Sequence, residues 1–228
     1  MERKYYEAYD DRYRQIHSMD LQWSHNEPTP IVMETIREFG IRREQPILEL
    51  GCGEGRDAAL LLREGYGLIA TDISAEVIRY DREKWPEFSE RFSVLDCVAG
   101  ELPDRFDFIY AVAVVHMLVE EEDRARFYGF IREHLEAGGI ALICTMGDGK
   151  IQRQSDIRTA FDLLPRVHQQ TGKEVRIAGT SCRMVDFETF RAELRRNGLA
   201  IRKEGITAAP PGFPVLMYAV VERDPSWG

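Results

Sequence analysis

The strongest constraint on this chain is a short apolar run, Ile47-Leu48-Glu49-Leu50, that passes straight into Gly51-Cys52-Gly53-Glu54-Gly55-Arg56-Asp57. Glycine at alternate positions permits positive φ and close backbone approach, so the segment reads as a strand turning sharply into a helix. A second apolar strand ends at Thr71-Asp72, which puts a carboxylate 21 positions after Gly51. Strand, glycine turn, helix and acid-tipped strand make a βαβ unit, and the carboxyl edge of such a parallel sheet is where an adenosine-bearing ligand binds.

The glycine spacing narrows that ligand. A dinucleotide fingerprint places its third glycine where this chain has Arg56. The run Glu49-x-Gly51-x-Gly53-x-Gly55 instead resembles motif I of the class I S-adenosylmethionine (SAM) methyltransferases. The resemblance implies SAM as cofactor and S-adenosylhomocysteine (SAH) as product. It implies close backbone approach at Gly51, Cys52, Gly53 and Gly55, and support of the methionine ammonium by Glu49 through the loop or a bridging water. It also puts both ribose hydroxyls on Asp72, with Ile73 beside it, since a carboxylate offers two acceptor oxygens.

The remaining elements alternate. Pro28-Thr29-Pro30 opens a helix through Phe39 that Gly40 stops. Strands are expected at Pro46–Leu50, Tyr66–Thr71, Phe92–Leu95, Phe106–Val112 and Ile140–Thr145. Helices are expected from Gly55, from Ser74, over 121–135 with Gly138-Gly139 closing it, and from Asp186 to Arg196. Leu199–Ile206 and Pro214–Glu222 then read as strands joined by the short loop Thr207–Phe213. A parallel pair needs a long crossover, so this pair is antiparallel. The expected architecture is α/β: a doubly wound, mainly parallel seven-stranded sheet with an antiparallel C-terminal hairpin, similar to the Rossmann-like methyltransferase fold. Four segments follow: a helical lid at 1–27, a core at 28–146, an irregular insertion at 147–185 covering the substrate side, and at 186–228 a helix and hairpin completing the sheet.

Further segments carry the resemblance. Val94-Leu95-Asp96-Cys97 ends the third strand where family members hold adenine, which implies Asp96 on the amino group and the Cys97 N–H beside the ring. Phe106 to Leu118 resembles the fourth strand and its loop, implying that Ala111, Val112 and Ala113 offer carbonyls to the ammonium. His116 follows on the edge where the methyl group lies and is the candidate base or acceptor contact. Many relatives carry a second histidine here; this chain has Met117. Signatures of amino-methylating nucleic-acid enzymes, Asn-Pro-Pro-Tyr or Asp-Pro-Pro-Tyr, are absent from the sequence.

Tyr6, Tyr9 and Tyr13 recur at helical spacing and share a face. The segment resembles the N-terminal lid of small-molecule methyltransferases, which implies a cap that excludes water; Trp23 and His25 line the same pocket in that reading. In the insertion, seven basic residues, Arg153 and Arg183 among them, stand against four acidic ones. A basic insertion over the active edge suits an anionic small acceptor.

A net charge of −9 speaks against a nucleic-acid substrate, which needs a basic surface. The first residues are charged, the longest apolar run is far short of a membrane span, and the four cysteines form no Cys-x-x-Cys pair. The expectation is therefore a cytoplasmic protein with no metal and no membrane or nucleic-acid partner, its oligomeric state open. The function expected is methyl transfer from SAM to an oxygen, nitrogen or sulfur of a small molecule by in-line displacement. The alternatives are a protein or peptide side-chain methyltransferase and a non-catalytic SAM-binding regulator; Arg56 and the hairpin disfavour a nicotinamide oxidoreductase.

Overall fold

The computed structural model describes residues 3–208 and 215–227. A 3-10 turn at Tyr5–Glu7 leads into α1 (Ala8–His17), and α2 (Pro30–Phe39) follows. The core then alternates β1 (Ile47–Leu50), α3 (Arg56–Arg63), β2 (Leu68–Asp72), α4 (Ala75–Lys84), β3 (Phe92–Val94), β4 (Phe106–Val112), α5 (Glu121–His134) and β5 (Leu135–Met146). Two small ladders come next, from β6 (Arg153–Gln154), β7 (Leu163–Val167), β8 (Glu174–Ala178) and β9 (Arg183–Met184). The chain closes with α6 (Phe187–Arg196), β10 (Leu199–Thr207) and β11 (Leu216–Arg223).

The main sheet has seven strands in the order β10-β11-β5-β4-β1-β2-β3. β1 pairs in parallel with β2 on one side and β4 on the other, while β11 runs antiparallel to both β5 and β10. The order reverses between β1 and β4, which opens a crevice at their carboxyl ends where ligands of such sheets bind. Both faces are covered, which is why the parallel strands read as unbroken apolar runs rather than alternating ones. Leu48, Leu50, Ile109 and Ile143 pack with Phe127 and Ile131 of α5 and Phe190 of α6. Ile47, Phe108 and Leu142 pack on the opposite face with Ile36 of α2, Leu61 of α3 and Val77 of α4. The mainly parallel sheet and antiparallel ending match the expectation.

Two expectations need correcting. Gly138-Gly139 do not close α5: the helix ends at His134, and fully buried Leu135, already extended, pairs with Phe106. The glycines fill the irregularity between that pair and Phe108↔Ile140. A Cβ on Gly139 would stand 3.0 Å from the carbonyl oxygens of both Phe106 and Asp107, so a close backbone contact explains that glycine. The insertion is also not irregular throughout, since β6 pairs with β9 and β7 with β8. The expected strand start at Pro214, and the loop beyond Ala208, lie outside the described residues.

Candidate active site

The glycine loop leaves β1 at the crevice. Gly51, Gly53 and Gly55 have φ of +70°, +54° and +67°. A Cβ on Gly51 would meet Val114 Cγ2 at 2.4 Å, and one on Gly55 would meet Trp85 at the same distance, so both conformation and space demand glycine. The Cys52 N–H donates to the Thr71 carbonyl, holding the loop against the end of β2. Asp72 stands there with one carboxylate oxygen accepting from the Gly53 N–H at 3.0 Å and the other from the Ser74 N–H at 2.9 Å. Burial pushes its carboxyl up to about 6 against those two donors. Ile73 lies partly buried against the core.

Carboxyl groups crowd this loop. Glu49 is buried in β1, its pKa raised by desolvation and by the charge of Asp57, and its Oε2 has no hydrogen-bond partner among the described residues. Asp81 of α4, fully buried, accepts from the Cys52 thiol at 3.7 Å; burial and the charges of Asp72 and Glu49 push it up to about 9. Asp96 accepts from the Val98 N–H at 2.8 Å, closing the turn after β3, and its other oxygen takes the Tyr6 hydroxyl at 3.3 Å. Cys97 is half-buried beside it.

At the end of β4, buried Ala111 and Val112 lead to Ala113, held at φ +58° with its N–H on the Cys144 carbonyl. A non-glycine residue in that region is strained, a state that persists only where surrounding structure enforces it. His116 sits in the 3-10 turn Val115–Met117, 3% exposed. Burial, aided by the positive charges of Arg124 and Arg12, pushes its pKa down to about 3, so the ring is a neutral imidazole. That value lies far below the range in which a general base works at neutral pH.

The tyrosines converge on the same edge. The Tyr13 hydroxyl lies over the loop, 2.9 Å from where a Cβ of Gly53 would stand. Tyr9 donates to the Ser181 carbonyl at 2.9 Å, and Ser181 Oγ in turn donates to the Met117 carbonyl.

The methyltransferase-domain family matches residues 47–139 of this chain. An uncharacterised methyltransferase of Mycobacterium tuberculosis is 30% identical over 99 residues, covering 43% of this chain and 49% of that protein. The matched part of the chain thus spans about half the length of that curated relative. Among solved structures, the glycopeptide N-methyltransferase MtfA complexed with sinefungin superposes with a TM-score of 0.65 at 22% identity, over 86% of this chain and 87% of that one. The Burkholderia thailandensis 1,6-didemethyltoxoflavin-N1-methyltransferase, with bound 1,6-didemethyltoxoflavin and SAH, gives 0.62 at 16% identity, over 85% and 76%. These two likenesses are of fold. Residues 47–139 thus match a methyltransferase domain, set in a fold shared with SAM-dependent methyltransferases.

Not every residue singled out in the sequence reaches this crevice. Arg153 is exposed on β6, and Arg183 turns its guanidinium to the Val119 carbonyl at 2.9 Å and to Glu193 at 3.7 Å. The Trp23 ring lies under the Arg12 guanidinium at 4.7 Å, and His25 is half-buried in the following loop. Other residues escaped the sequence reading. Arg124 is buried and donates to the Val115 and Leu118 carbonyls on either side of His116, while Glu193 takes its other nitrogens at 2.9 and 2.5 Å. Asp57 accepts from the Thr29 N–H at 2.6 Å and hydroxyl at 2.9 Å, fixing the entry to α2. Tyr5 accepts from the Val119 and Glu120 N–H groups and donates to Asp123 at 2.8 Å. The available signal was a charge in line with the apolar face of α5, Arg124 sharing helical spacing with Phe127, Tyr128 and Ile131.

Proposed function

We propose that this chain binds SAM across the glycine loop and transfers its methyl group to a small molecule. The observation that carries this reading is a left-handed glycine cradle ringed by buried carboxyl groups, Glu49, Asp72 and Asp81. Asp72, ionised at neutral pH, repels a pyrophosphate and attracts a sulfonium with an ammonium group, while the carboxyl groups of Glu49 and Asp81, raised by burial, still offer acceptor oxygens. The orphaned Glu49 Oε2 and the two oxygens of Asp72 match the ammonium and the ribose hydroxyls. In this reading Gly51, Cys52, Gly53 and Gly55 allow close backbone approach. Asp72 holds the ribose beside Ile73, Asp96 and Cys97 hold the adenine, and Ala111–Ala113 present carbonyls to the methionine end. SAM supplies an activated methyl group that an acceptor nucleophile displaces from sulfur.

The chain's own contribution is then positioning and exclusion of water, worth roughly 7–11 kcal/mol in favourable systems. His116 serves as a neutral imidazole that orients the acceptor, Tyr6, Tyr9 and Tyr13 cover the crevice, and Trp23 and His25 back that cover. A small acceptor is favoured because α1 and the insertion together roof this edge; the 1,6-didemethyltoxoflavin-N1-methyltransferase of like fold holds such a ligand. MtfA acts on a glycopeptide, which keeps a peptide-like acceptor as the second reading. The preference for an anionic acceptor is weakened, because the charge of Arg183 is already met by Glu193 and Glu121.

Calorimetric titration with SAH tests the reading. The wild-type protein is expected to bind in the micromolar range or tighter, and Asp72→Ala to lose at least tenfold. His116→Ala is expected to leave SAH affinity within about twofold while cutting turnover once an acceptor is found. A folded wild-type protein that ignores SAH overturns the reading.

A further inference from the structure

The carboxyl end of α1 carries a group that the reading above does not use. His17 closes that helix with only 7% of its side chain exposed. Its Nδ1 lies 2.9 Å from Glu76 Oε1 and its Nε2 3.1 Å from Glu54 Oε1. An ionised carboxylate only accepts, so two such contacts require a proton on each ring nitrogen: the group is an imidazolium. The ring also stacks on Tyr80 with centroids 4.4 Å apart and leans on Tyr13 at 5.9 Å.

Its two partners belong to the cofactor edge. Glu54 stands between Gly53 and Gly55, and it also accepts from the N–H groups of Trp23 and Ser24 and from the Ser24 hydroxyl. Glu76 lies in the first turn of α4, directly after the strand that ends in Asp72; Arg79 pairs with it, and its N–H donates to Asp10 of α1. One cation therefore joins the lid helix, the glycine loop and the helix behind the ribose-side acid.

We propose that His17 is a positioning residue for the cofactor: as an imidazolium it clamps Glu54 and Glu76, holding the glycine loop and the lid in the arrangement that binds SAM, so that cofactor affinity falls when the ring loses its proton. The inference rests on the SAM reading above. Burial opposes the charged ring, but the hydrogen bonds to Glu54 and Glu76 outweigh it and raise its pKa above 6.5. A cation with a raised pKa holds its contacts fully below 6.5 and releases them as pH rises through the raised value.

Other charged and titratable groups face this clamp. Arg79 remains on Glu76, Asp10 is paired with Arg14, and Lys84 stands toward Glu54 with its own pKa lowered by burial. Tyr13 and Tyr80 are pushed up by burial, out of the range in question. Asp72, at about 6, acts with the opposite sign, because ribose binding improves as it ionises. Asp81, at about 9, begins to ionise only at the upper end. The informative window is therefore pH 7 to 8.5, read as the difference between wild type and His17 variants.

The full chain is titrated with SAH at both pH values as wild type, His17→Gln and His17→Arg. The wild type is expected to weaken about tenfold at pH 8.5. His17→Gln, with no charge to lose, is expected to be about tenfold weaker already at pH 7 and to change little further. His17→Arg, a permanent cation, is expected to bind alike at both. Hydrogen exchange of residues 8–24, corrected for the intrinsic effect of pH, reads the clamp without ligand. Protection is expected to fall across the window in the wild type but not in His17→Gln. Parallel pH dependence of wild type and His17→Gln in both measurements overturns the proposal. A wild type that binds no SAH at either pH defeats the cofactor reading itself, and the exchange difference still decides whether the clamp exists.

Discussion

Asp81 shows how much one residue near the glycine loop shapes this molecule. Its carboxyl group is fully buried, one oxygen has no hydrogen-bond partner among the described residues, and its pKa stands near 9. At neutral pH the folded protein therefore holds a proton here that the unfolded chain, with an ordinary value of 3.8, has released. Folding then takes up one proton, and stability falls as pH rises through the window between those values, by at most about 1.4 kcal/mol per unit. Asparagine mimics the protonated acid without that dependence. Asp81→Asn is expected to be more stable than wild type at pH 8, with the gap shrinking by about 1–3 kcal/mol at pH 6, as read by urea unfolding. Equal slopes in the two proteins would mean that Asp81 is ionised in the fold. The place of the crevice residues was legible in the sequence because each sits at a strand end or in a spaced glycine loop. The charge state of His116 was not legible, since its burial and its nearness to Arg12 and Arg124 arise only in the folded chain.

At the scale of elements, α5 and α6 are joined through a buried ion pair that also sets the loop after β4. Arg124 meets Glu193 with two hydrogen bonds while donating to the Val115 and Leu118 carbonyls, and the Tyr128 hydroxyl donates to Glu193 Oε2 at 2.9 Å. Removing one partner of a buried pair leaves an uncompensated charge, which costs about 3–5 kcal/mol, whereas replacing both by apolar groups is often near neutral. Arg124→Met is expected to be destabilised in that range, and Arg124→Met/Glu193→Met to recover at least half of the loss. A double variant as unstable as the single one would show that the carbonyl contacts, not the charge pair, dominate. The core elements could be read in advance because buried parallel strands are unbroken apolar runs punctuated by glycine and capped helices. The strand pairs of the insertion could not: β6 and β9 are two residues each, and β7 is exposed along its length, so neither carries a period to detect. Gly138-Gly139 carried the signal of a helix stop but answered a different demand, the contact of Gly139 with the β4 backbone.

At the scale of the whole molecule, α1 and the insertion, more than a hundred residues apart in the chain, are joined by hydrogen bonds. Arg12 of α1 is 7% exposed and donates to the Ala178 carbonyl at 3.1 Å, the Gly179 carbonyl at 2.8 Å and the Thr180 hydroxyl at 2.6 Å. Gln15 accepts from the Ala178 N–H, and His168 and Gln170 of the insertion contact the Gln22 and Ser24 carbonyls. The same helix reaches the core through Asp10, which accepts from the Ser74 hydroxyl at 2.7 Å. Helix α1 therefore lies between the insertion and the start of α4 and is hydrogen-bonded to both. Each buried acceptor left without its donor costs about 1–3 kcal/mol. Arg12→Met keeps the apolar stem under Trp23 but strips the donors. It is expected to lower the melting temperature by several degrees, at about 2–4 °C per kcal/mol for a chain of this size. Hydrogen exchange should then rise together in residues 8–17 and 174–181 while β1, β4 and β5 keep their protection. Adding SAH should restore protection to both segments at once if they close as a unit. Recovery of α1 alone would show that the insertion moves independently of the lid, and that the acceptor side opens by a hinge of its own.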